Sequence, residues 1–238
     1  VTLLLCGRFG TTRDGHNVLS PSRFNDFSRW IDNHKLSFRD LVKPDVRAIL
    51  RGYHGEPEEV ENTYALLNRT DDLGAALKRW DETGIWVVGR NDREYPARLR
   101  ERLRSAAFPL LFGTGDRSLL DGGGVCIVGS RDSSRQGLGF AKRLAMGCGK
   151  EGMTVISSDM RGVDREAVTT ALGNGGQVVC VLSDCLEKTI ANRRFRAAFD
   201  TGKLAAVTPF SPETRFKVAN AIRANKYQYA LSDVAVVV

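Results

Sequence analysis

Hydrophobic positions along the chain follow two different periods, and the change falls near residue 80. Before it, apolar residues recur every three to four positions, which is typical of amphipathic helices. Ser20 followed by Pro21 predicts the start of one helix, whose apolar face includes Phe24. Thr70 predicts the start of another, which ends before Gly84. We therefore predict a helical N-terminal domain over residues 1–80.

From residue 81 onward, short apolar runs alternate with helical segments. Seven strands are predicted, at residues 85–88, 110–112, 125–128, 154–157, 178–182, 204–208 and 233–238. Four helices are predicted between the last five strands, at about residues 136–148, 164–173, 189–200 and 214–230. Strands that alternate with helices form right-handed βαβ units, in which a parallel sheet is covered on both faces. The predicted class of residues 81–238 is therefore α/β.

The first strand of this alternating series ends in a segment suited to an anion. The apolar run 125–128 stops at Gly129, Ser130 and Arg131. Ligands of open α/β sheets bind beyond the carboxyl ends of strands, where a loop leads into a helix. The start of that helix offers unpaired N–H groups, and Arg131 adds a forked cation that suits phosphate. An ordinary turn with a solvated arginine is the alternative, and the pattern alone leaves both open.

The next strand end supplies a second candidate loop. It contains Ser157 and Ser158, followed by Arg161 and Gly162. A helix begins directly after them, and Asp164 is placed to cap it. This loop is predicted to lie beside the first one, because neighbouring parallel strands end at the same edge of a sheet.

The last predicted helix brings three more candidates, Arg223, Asn225 and Lys226. With Arg131 and Arg161, they are expected to form one basic rim, an electrostatic groove for a phosphate backbone. Each cation taken alone is more simply explained as a solvated surface residue. Their shared position near one edge of the sheet is what favours a binding site.

The charge of the chain supports an anionic partner. The net charge is +7, and the excess lies in residues 81–238, which have 23 Lys and Arg against 17 Asp and Glu. Residues 1–80 have 12 against 11. Nucleic acid is the commonest partner of a basic α/β domain, although many basic proteins bind none.

Other residue types exclude several classes of protein. The five cysteines form no CxxC pair, and Cys126 and Cys180 lie inside apolar strands, which predicts a reduced, cytoplasmic protein. All three histidines, at positions 16, 34 and 54, precede the sheet, which argues against a zinc site or a histidine base within it. The apolar run 1–6 is too short to cross a membrane. Because the chain lacks an initiating methionine and stops inside an apolar strand, we expect trimming at both ends.

An ordered set of short motifs over roughly residues 70–238 resembles the DprA/Smf family of DNA-processing proteins. The set is Arg93-Glu-Tyr-Pro96, Pro109-Leu-Leu-Phe112, Gly115-Asp116, Val128-Gly-Ser-Arg131, Gly137, Ser157 to Asp164, Ala171-Leu172, Gly175-Gly176, Phe216, Arg223-Ala-Asn-Lys226 and Ala230-Leu-Ser-Asp233. The N-terminal helices are similar to the family in kind only.

The resemblance implies a Rossmann-like parallel sheet with helices on both faces over residues 81–238. A small helical domain, of the size of a helix-hairpin-helix or sterile-alpha-motif unit, would precede it. It further implies a protein that binds and protects single-stranded DNA and hands it to a RecA-type recombinase, in natural transformation where bacteria take up DNA. Self-association as a homodimer, no cofactor and no catalytic turnover are also implied.

The chain departs from the family pattern at two loops. Ser158 replaces a glycine that would let phosphate approach the backbone, and Asp159 adds a negative charge nearby. After the third strand of the series, a basic helix with Arg193, Arg194 and Arg196 replaces a proline-bearing segment. These changes indicate a divergent member with altered phosphate handling at the second loop.

Three other functions were weighed. A sensor of a small nucleotide would use the same crevice, where Ser158 and Asp159 suit hydrogen bonds to a ribose. A phosphoribohydrolase of the LOG type is less favoured, since the run 173–178 lacks the threonine and glutamate of its motif. A dinucleotide dehydrogenase fits poorly, because Gly129-Ser-Arg is not GxGxxG and Asp159 lies 30 residues beyond Gly129, against about 20 expected.

Overall fold

The computed structural model describes residues 1–9, 17–53 and 56–238 of the chain. Within them the α-helices are α1 Thr2–Cys6, α2 Pro21–Asn33, α3 Val46–Tyr53, α4 Pro57–Leu67, α5 Thr70–Glu82, α6 Ala97–Leu103, α7 Arg135–Lys150, α8 Val163–Gly173, α9 Leu186–Ile190, α10 Arg193–Asp200 and α11 Val218–Leu231. The strands are β1 Trp86–Gly89, β2 Leu110–Gly115, β3 Val125–Val128, β4 Val155–Ser157, β5 Val178–Val181, β6 Leu204–Thr208 and β7 Val234–Val237. Three short 3₁₀ helices lie at Asp40–Val42, Arg104–Ala106 and Arg117–Leu120.

Helices α1 to α4 enclose a small apolar core of their own, which includes Leu5, Phe24 and Leu66. The predicted start of α2 is confirmed: the Ser20 hydroxyl accepts the Arg23 N–H, and Pro21 occupies the first turn. Proline is tolerated there because the N–H that it lacks would have no partner inside the helix. The helical character of this region is therefore set by local capping and apolar spacing.

Helix α5 packs differently from the helices before it. Ala76 and Trp80 belong to the core beneath the sheet, and the Trp80 ring meets Phe112 of β2 edge-on, with ring centroids 5.2 Å apart. The end of α5 is thus held by the sheet. The division of the chain into domains at residues 80 and 81 stays a prediction.

The seven strands form one sheet in the order β1-β2-β6-β5-β4-β3-β7. Strands β3 to β7 are parallel to one another, as predicted. Strands β1 and β2 precede the alternating series and are antiparallel, since β1 pairs with β2, and β2 pairs with β6. Both enter the sheet before the first βαβ unit at β3, so the rule that makes alternating strands parallel does not apply to them.

Helices cover both faces of the sheet. One face is packed by α7, α8 and α10 through residues such as Ala145, Ala167 and Phe195. The other is packed by α6 and α11 through Leu99 and Tyr227. Cys126 and Cys180 are fully buried inside the sheet, and burial raises the pKa of the Cys126 thiol to about 12.

The helix predicted at 189–200 is two helices, α9 and α10. The chain leaves α9 after Ile190, and the Asn192 side chain accepts the Arg194 N–H to start α10. Asparagine favours such a cap over a helix interior, because its amide competes for nearby backbone groups. After the break, Arg194 in the first turn of α10 reaches Asp159 in the loop that follows β4.

Candidate functional site

A cavity of about 130 Å³ lies at the carboxyl ends of β3 and β4. We call it the strand-end crevice. Two loops and helix α11 enclose it: the loop from β3 to α7 and the loop from β4 to α8. Its lining brings together five of the predicted residues, Gly129, Arg131, Ser158, Asp164 and Asn225.

Gly162 holds the two loops in direct contact. Its φ is +91°, and a Cβ at this position would lie 2.7 Å from the Arg131 Cα and closer still to the Ser130 carbonyl oxygen. The next N–H, of Val163, donates to that same carbonyl at 3.2 Å. Only glycine satisfies both the backbone conformation and the close approach.

Asp164 ties the same loops together from within. Its Oδ1 accepts the Gly129 N–H at 3.1 Å, and its Oδ2 accepts the Ser158 hydroxyl proton. The prediction that Asp164 caps α8 is wrong: the N-cap position is Gly162, and the Asp164 side chain turns toward β3. Burial raises the pKa of Asp164, although the hydrogen bonds from Ser158 and Gly129 oppose the shift.

Two backbone N–H groups of the first loop, before the start of α7, are already hydrogen-bonded. The Gly129 N–H donates to Asp164, and the Ser130 N–H donates to the Val238 carbonyl at 3.2 Å. The Ser130 hydroxyl accepts the Asp132 N–H at 3.1 Å. An anion in the crevice would therefore be held mainly by side chains, with Arg131 as the cation.

Arg131 is exposed, and its guanidinium lies over the Phe216 ring, 5.2 Å from the ring centroid. Phe216 is itself 40% exposed, although large aromatic side chains are usually more buried. Arg131 has no acidic partner among the residues that the structure describes. A cation and an aromatic face that lie side by side are the two components of a single-strand binding site.

The sequence interpretation did not place Phe216 in the site. Phe216 falls inside the helix predicted at 214–230 but precedes α11 in the structure, and its contact with Arg131, 85 residues earlier, gives no local signal. Phe216 does belong to the ordered set of motifs that resembles the DprA/Smf family, and that membership was the feature of the sequence that could have indicated it.

Of the four cations expected on one rim, Arg131 is the one that lines the crevice among the residues that the structure describes. Arg223 lines a different cleft, although Asn225 lines the crevice. Residues two positions apart on a helix point in nearly opposite directions, which the sequence reading overlooked. Lys226 is exposed on α11, and Arg161 forms an exposed ion pair with Asp132.

Two further predicted residues have structural partners. Ser157 is fully buried, and its hydroxyl donates to the Ile127 carbonyl at 2.6 Å, so it lies behind the crevice. The Ser158 hydroxyl, which contacts Asp164, also accepts the Met160 N–H at 3.2 Å. Both serines thus stabilise the end of β4.

Asp159 is neutralised by the basic helix that replaces the family's proline segment. Its backbone has φ +59°, and its carboxylate pairs with Arg194 of α10, with Arg165 further away at 3.8 Å. Burial raises the pKa of Asp159, and the Arg194 charge opposes that shift. Asp159 is not among the residues that line the crevice. The two departures from the family pattern thus form one ion pair.

In the parts of the chain that the structure covers, no three His, Cys, Asp or Glu residues are grouped to hold a metal ion. His16 and His54 lie outside the described residues. No helix in the same parts is both long and apolar enough to cross a bilayer.

Comparisons with known proteins agree with this architecture. The family model of DNA recombination-mediator protein A matches residues 86–238. The DNA processing protein DprA of Streptococcus pneumoniae (strain ATCC BAA-255 / R6) is 35% identical over 78 residues, which are 33% of this chain and 27% of that relative. The aligned part is thus about a quarter of the relative's length.

Two solved structures share the fold. The X-ray structure of DNA processing protein A from Streptococcus pneumoniae has a TM-score of 0.67 and 21% identity, over 92% of this chain and 73% of that one. DNA processing protein A from Helicobacter pylori, described for its unique single-stranded DNA binding mode, has a TM-score of 0.53 and 19% identity, over 64% of this chain and 68% of that one. Because the family model covers the whole sheet and both loops of the crevice, the chain belongs to the DNA recombination-mediator protein A family.

Proposed function

We propose that this protein binds single-stranded DNA at the strand-end crevice, as a recombination mediator and without catalytic turnover. The observation that carries the proposal is the pair of Arg131 and Phe216 at the crevice, an unpaired cation over an exposed aromatic ring. Bases stack on such rings whatever the sequence, while the cation holds the phosphate between them. The Helicobacter pylori relative of similar fold binds single-stranded DNA, which supports the same partner here.

Some of the crevice residues would contact DNA, and others would hold the two loops in position. Arg131 would contact phosphate and Phe216 a base, while Ser130 and Asn225 would donate hydrogen bonds. Lys226 would add a cation on the exposed side of α11. Gly129, Ser158, Gly162 and Asp164 would keep the two loops together, because their contacts run between the loops. Ser157 would support β4 from behind, and Arg161 would act through its pair with Asp132.

The partners beyond DNA follow from the family. A recombination mediator protects the strand and passes it to a recombinase, and we propose a RecA-type recombinase in the cytoplasm as the recipient. We also propose a homodimer. Exposed apolar side chains on α11, Val218, Ile222 and Tyr229, offer a surface for such contacts.

A nucleotide sensor fits the crevice less well. The volume of the crevice, about 130 Å³, lies below the roughly 300–1,000 Å³ of typical small-molecule pockets. Ser158 and Asp159, which could have bound a ribose, are bonded to Asp164 and Arg194. An open surface for a flexible strand agrees better with both observations.

The test is a fluorescence-anisotropy titration of a labelled poly-dT oligonucleotide at two salt concentrations. We expect Arg131→Ala to weaken binding by at least about tenfold, because hydrogen bonds to charged groups are worth roughly 1.5–3 kcal/mol. The slope of log K against the logarithm of the salt concentration should become shallower by about 0.7, which is the contribution of one phosphate contact on a single strand. Lys150→Ala is the matched control, since it removes the same charge at the opposite end of α7.

Two results would contradict the proposal. One is equal binding by the Arg131→Ala and Lys150→Ala variants. The other is micromolar binding of a free nucleotide with none of the oligonucleotide, which would favour the sensor. Release of free base from a nucleoside monophosphate would instead favour the hydrolase.

A further inference from the structure

A second cavity, of about 460 Å³, lies where the N-terminal segment meets the sheet. We call it the N-terminal cleft. Its walls come from the residues after α1, the start of α2, the start of β2 and the first turns of α11. The Ser211 hydroxyl lies 3.2 Å from the Arg8 carbonyl oxygen and 2.6 Å from a carboxylate oxygen of Glu213, so the two walls are in contact. The volume is in the range of sites that hold one small molecule or nucleotide.

The cleft is basic. Arg8, Lys217 and Arg223 line it, and no aspartate or glutamate does. All three cations are exposed, and the described residues offer none of them an ion pair or a side-chain hydrogen bond. Like charges grouped around one cavity repel each other, so a bound anion would relieve that repulsion.

The floor of the cleft is aromatic. Phe108 and Phe210 are partly exposed and meet edge-on, with ring centroids 5.5 Å apart. Deeper in, Leu110 and Phe112 are almost fully buried. A floor of this kind suits the flat face of a nucleobase, which gains about 1–3 kcal/mol by stacking.

Asn220 presents a side-chain amide to the cleft. The residue is 8% exposed and lines the cleft, and its amide forms no side-chain hydrogen bond with the residues in the described ranges. The amide atoms remain open to the space of the cleft, so they are available to a ligand there. An amide carries both donors and an acceptor, which are what the edge of a base requires.

The cleft and the crevice share helix α11. Asn220 and Arg223 face the cleft, while Ala221, Ala224 and Asn225 face the crevice. An α-helix is about 10–12 Å across with its side chains, so a strand that leaves one cavity can reach the other by crossing the start of α11.

We propose that the N-terminal cleft binds a second segment of the same single strand that occupies the crevice. A base packs against Phe108 and Phe210 and is hydrogen-bonded by Asn220, and the flanking phosphates contact Arg8, Lys217 and Arg223. The proposal rests on the proposed function of the crevice. It gives the N-terminal segment, which includes Arg8, a part in DNA binding.

The test compares two dT oligonucleotides in anisotropy titrations over a range of salt. One is longer than the roughly 16 nucleotides that single-strand sites cover at most, and the other has about 4, the shortest such site. The double variant Arg8→Ala/Lys217→Ala should weaken binding of the long strand at least tenfold and lower its salt slope by about 1.4, two single-strand phosphate contacts. Its binding of the short strand should stay unchanged.

The matched control is Arg51→Ala/Lys150→Ala, two exposed cations of the same types that line neither cavity. A second variant, Asn220→Asp, keeps the side-chain shape and should also weaken only the long strand, because it sets a negative charge among the phosphates. Equal long-strand binding by the two double variants, or equal weakening of both strands by Arg8→Ala/Lys217→Ala, would overturn the inference. Failure of the crevice proposal is a separate result, in which the Arg131→Ala variant binds the short strand as tightly as the Lys150→Ala variant does.

Discussion

Gly162 and the glycines of other turns face different constraints, and the difference shows how the crevice is built. Gly162 and Gly175 both have positive φ, at +91° and +73°. A Cβ on Gly175 would meet nothing within 4 Å, whereas one on Gly162 would run into the backbone of Ser130 and Arg131. The turn at Gly175 requires glycine only for its positive φ. The loop at Gly162 requires glycine for its positive φ and also because a Cβ would collide with the neighbouring loop.

This contrast gives a prediction for stability. Gly175→Ala should lower the free energy of unfolding by about 1 kcal/mol, the lower end of the cost of unfavourable backbone geometry. Gly162→Ala should lower the free energy of unfolding by about 1–3 kcal/mol more than that, because the added Cβ overpacks the contact between the two loops. Urea denaturation measures both. Equal losses would show that the loops do not press on each other at Gly162.

Among the secondary-structure elements, β3 and α8 are joined by a carboxylate rather than by apolar packing alone. Asp164 in the first turn of α8 accepts the N–H of Gly129 just beyond β3. The site is buried enough to raise the pKa of Asp164 even though two hydrogen bonds favour its charged form. Folding therefore binds protons at this carboxyl.

The pH dependence of stability follows from that shift. Because the folded state holds the Asp164 proton more tightly than the unfolded state, ionisation costs stability as pH rises from about 4, the usual aspartate pKa, through the raised value. Asp164→Asn has no such cost. The stability of this variant relative to the unmodified protein should therefore increase as pH rises through that window.

Urea denaturation of both proteins at a series of pH values measures the difference. Any loss from the altered hydrogen bonds is the same at each pH, so only the slope matters. Burial also raises the pKa of Asp159. Because both proteins contain this residue, it contributes equally to the pH dependence of their stability. A flat difference, or one that falls with pH, would contradict the assignment of a raised pKa to Asp164.

The sequence predicted the elements better than the directions of their side chains. The strands β3 to β7 and the loops at their ends were found from apolar runs. Such runs are unbroken in β3 to β6 because these strands are buried, and the exposed edge strand β7 is apolar as well. Arg223 points away from the crevice, and this direction depends on how α11 packs against the sheet. The pair of Asp159 and Arg194 depends on the break between α9 and α10. Such contacts between distant segments leave no periodic trace in the chain.

On the scale of the whole molecule, the N-terminal helices and the sheet are connected through α5 and through the segment at α1, because Leu4 and Phe9 belong to the same core as Trp80. The apolar pattern changes after Trp80, which suggested a boundary between residues 80 and 81. In the structure Trp80 is 1% exposed and packs against Phe112 of the sheet. A boundary that follows the packing would precede α5 and fall near residue 69.

This placement can be tested with two fragments. The fragment 70–238 retains α5, and the fragment 81–238 lacks it, while both lack the other N-terminal helices. We expect the longer fragment to be more stable by at least about 3 kcal/mol, the lower end of the cost of Trp→Ala in a core, because the shorter one exposes Phe112. Urea denaturation followed by circular dichroism gives both values. Trp80→Ala within 70–238 should account for most of the difference, since it removes the ring and leaves the helix. Equal midpoints of the two fragments would return the boundary to residue 80 and assign α5 to the helical domain.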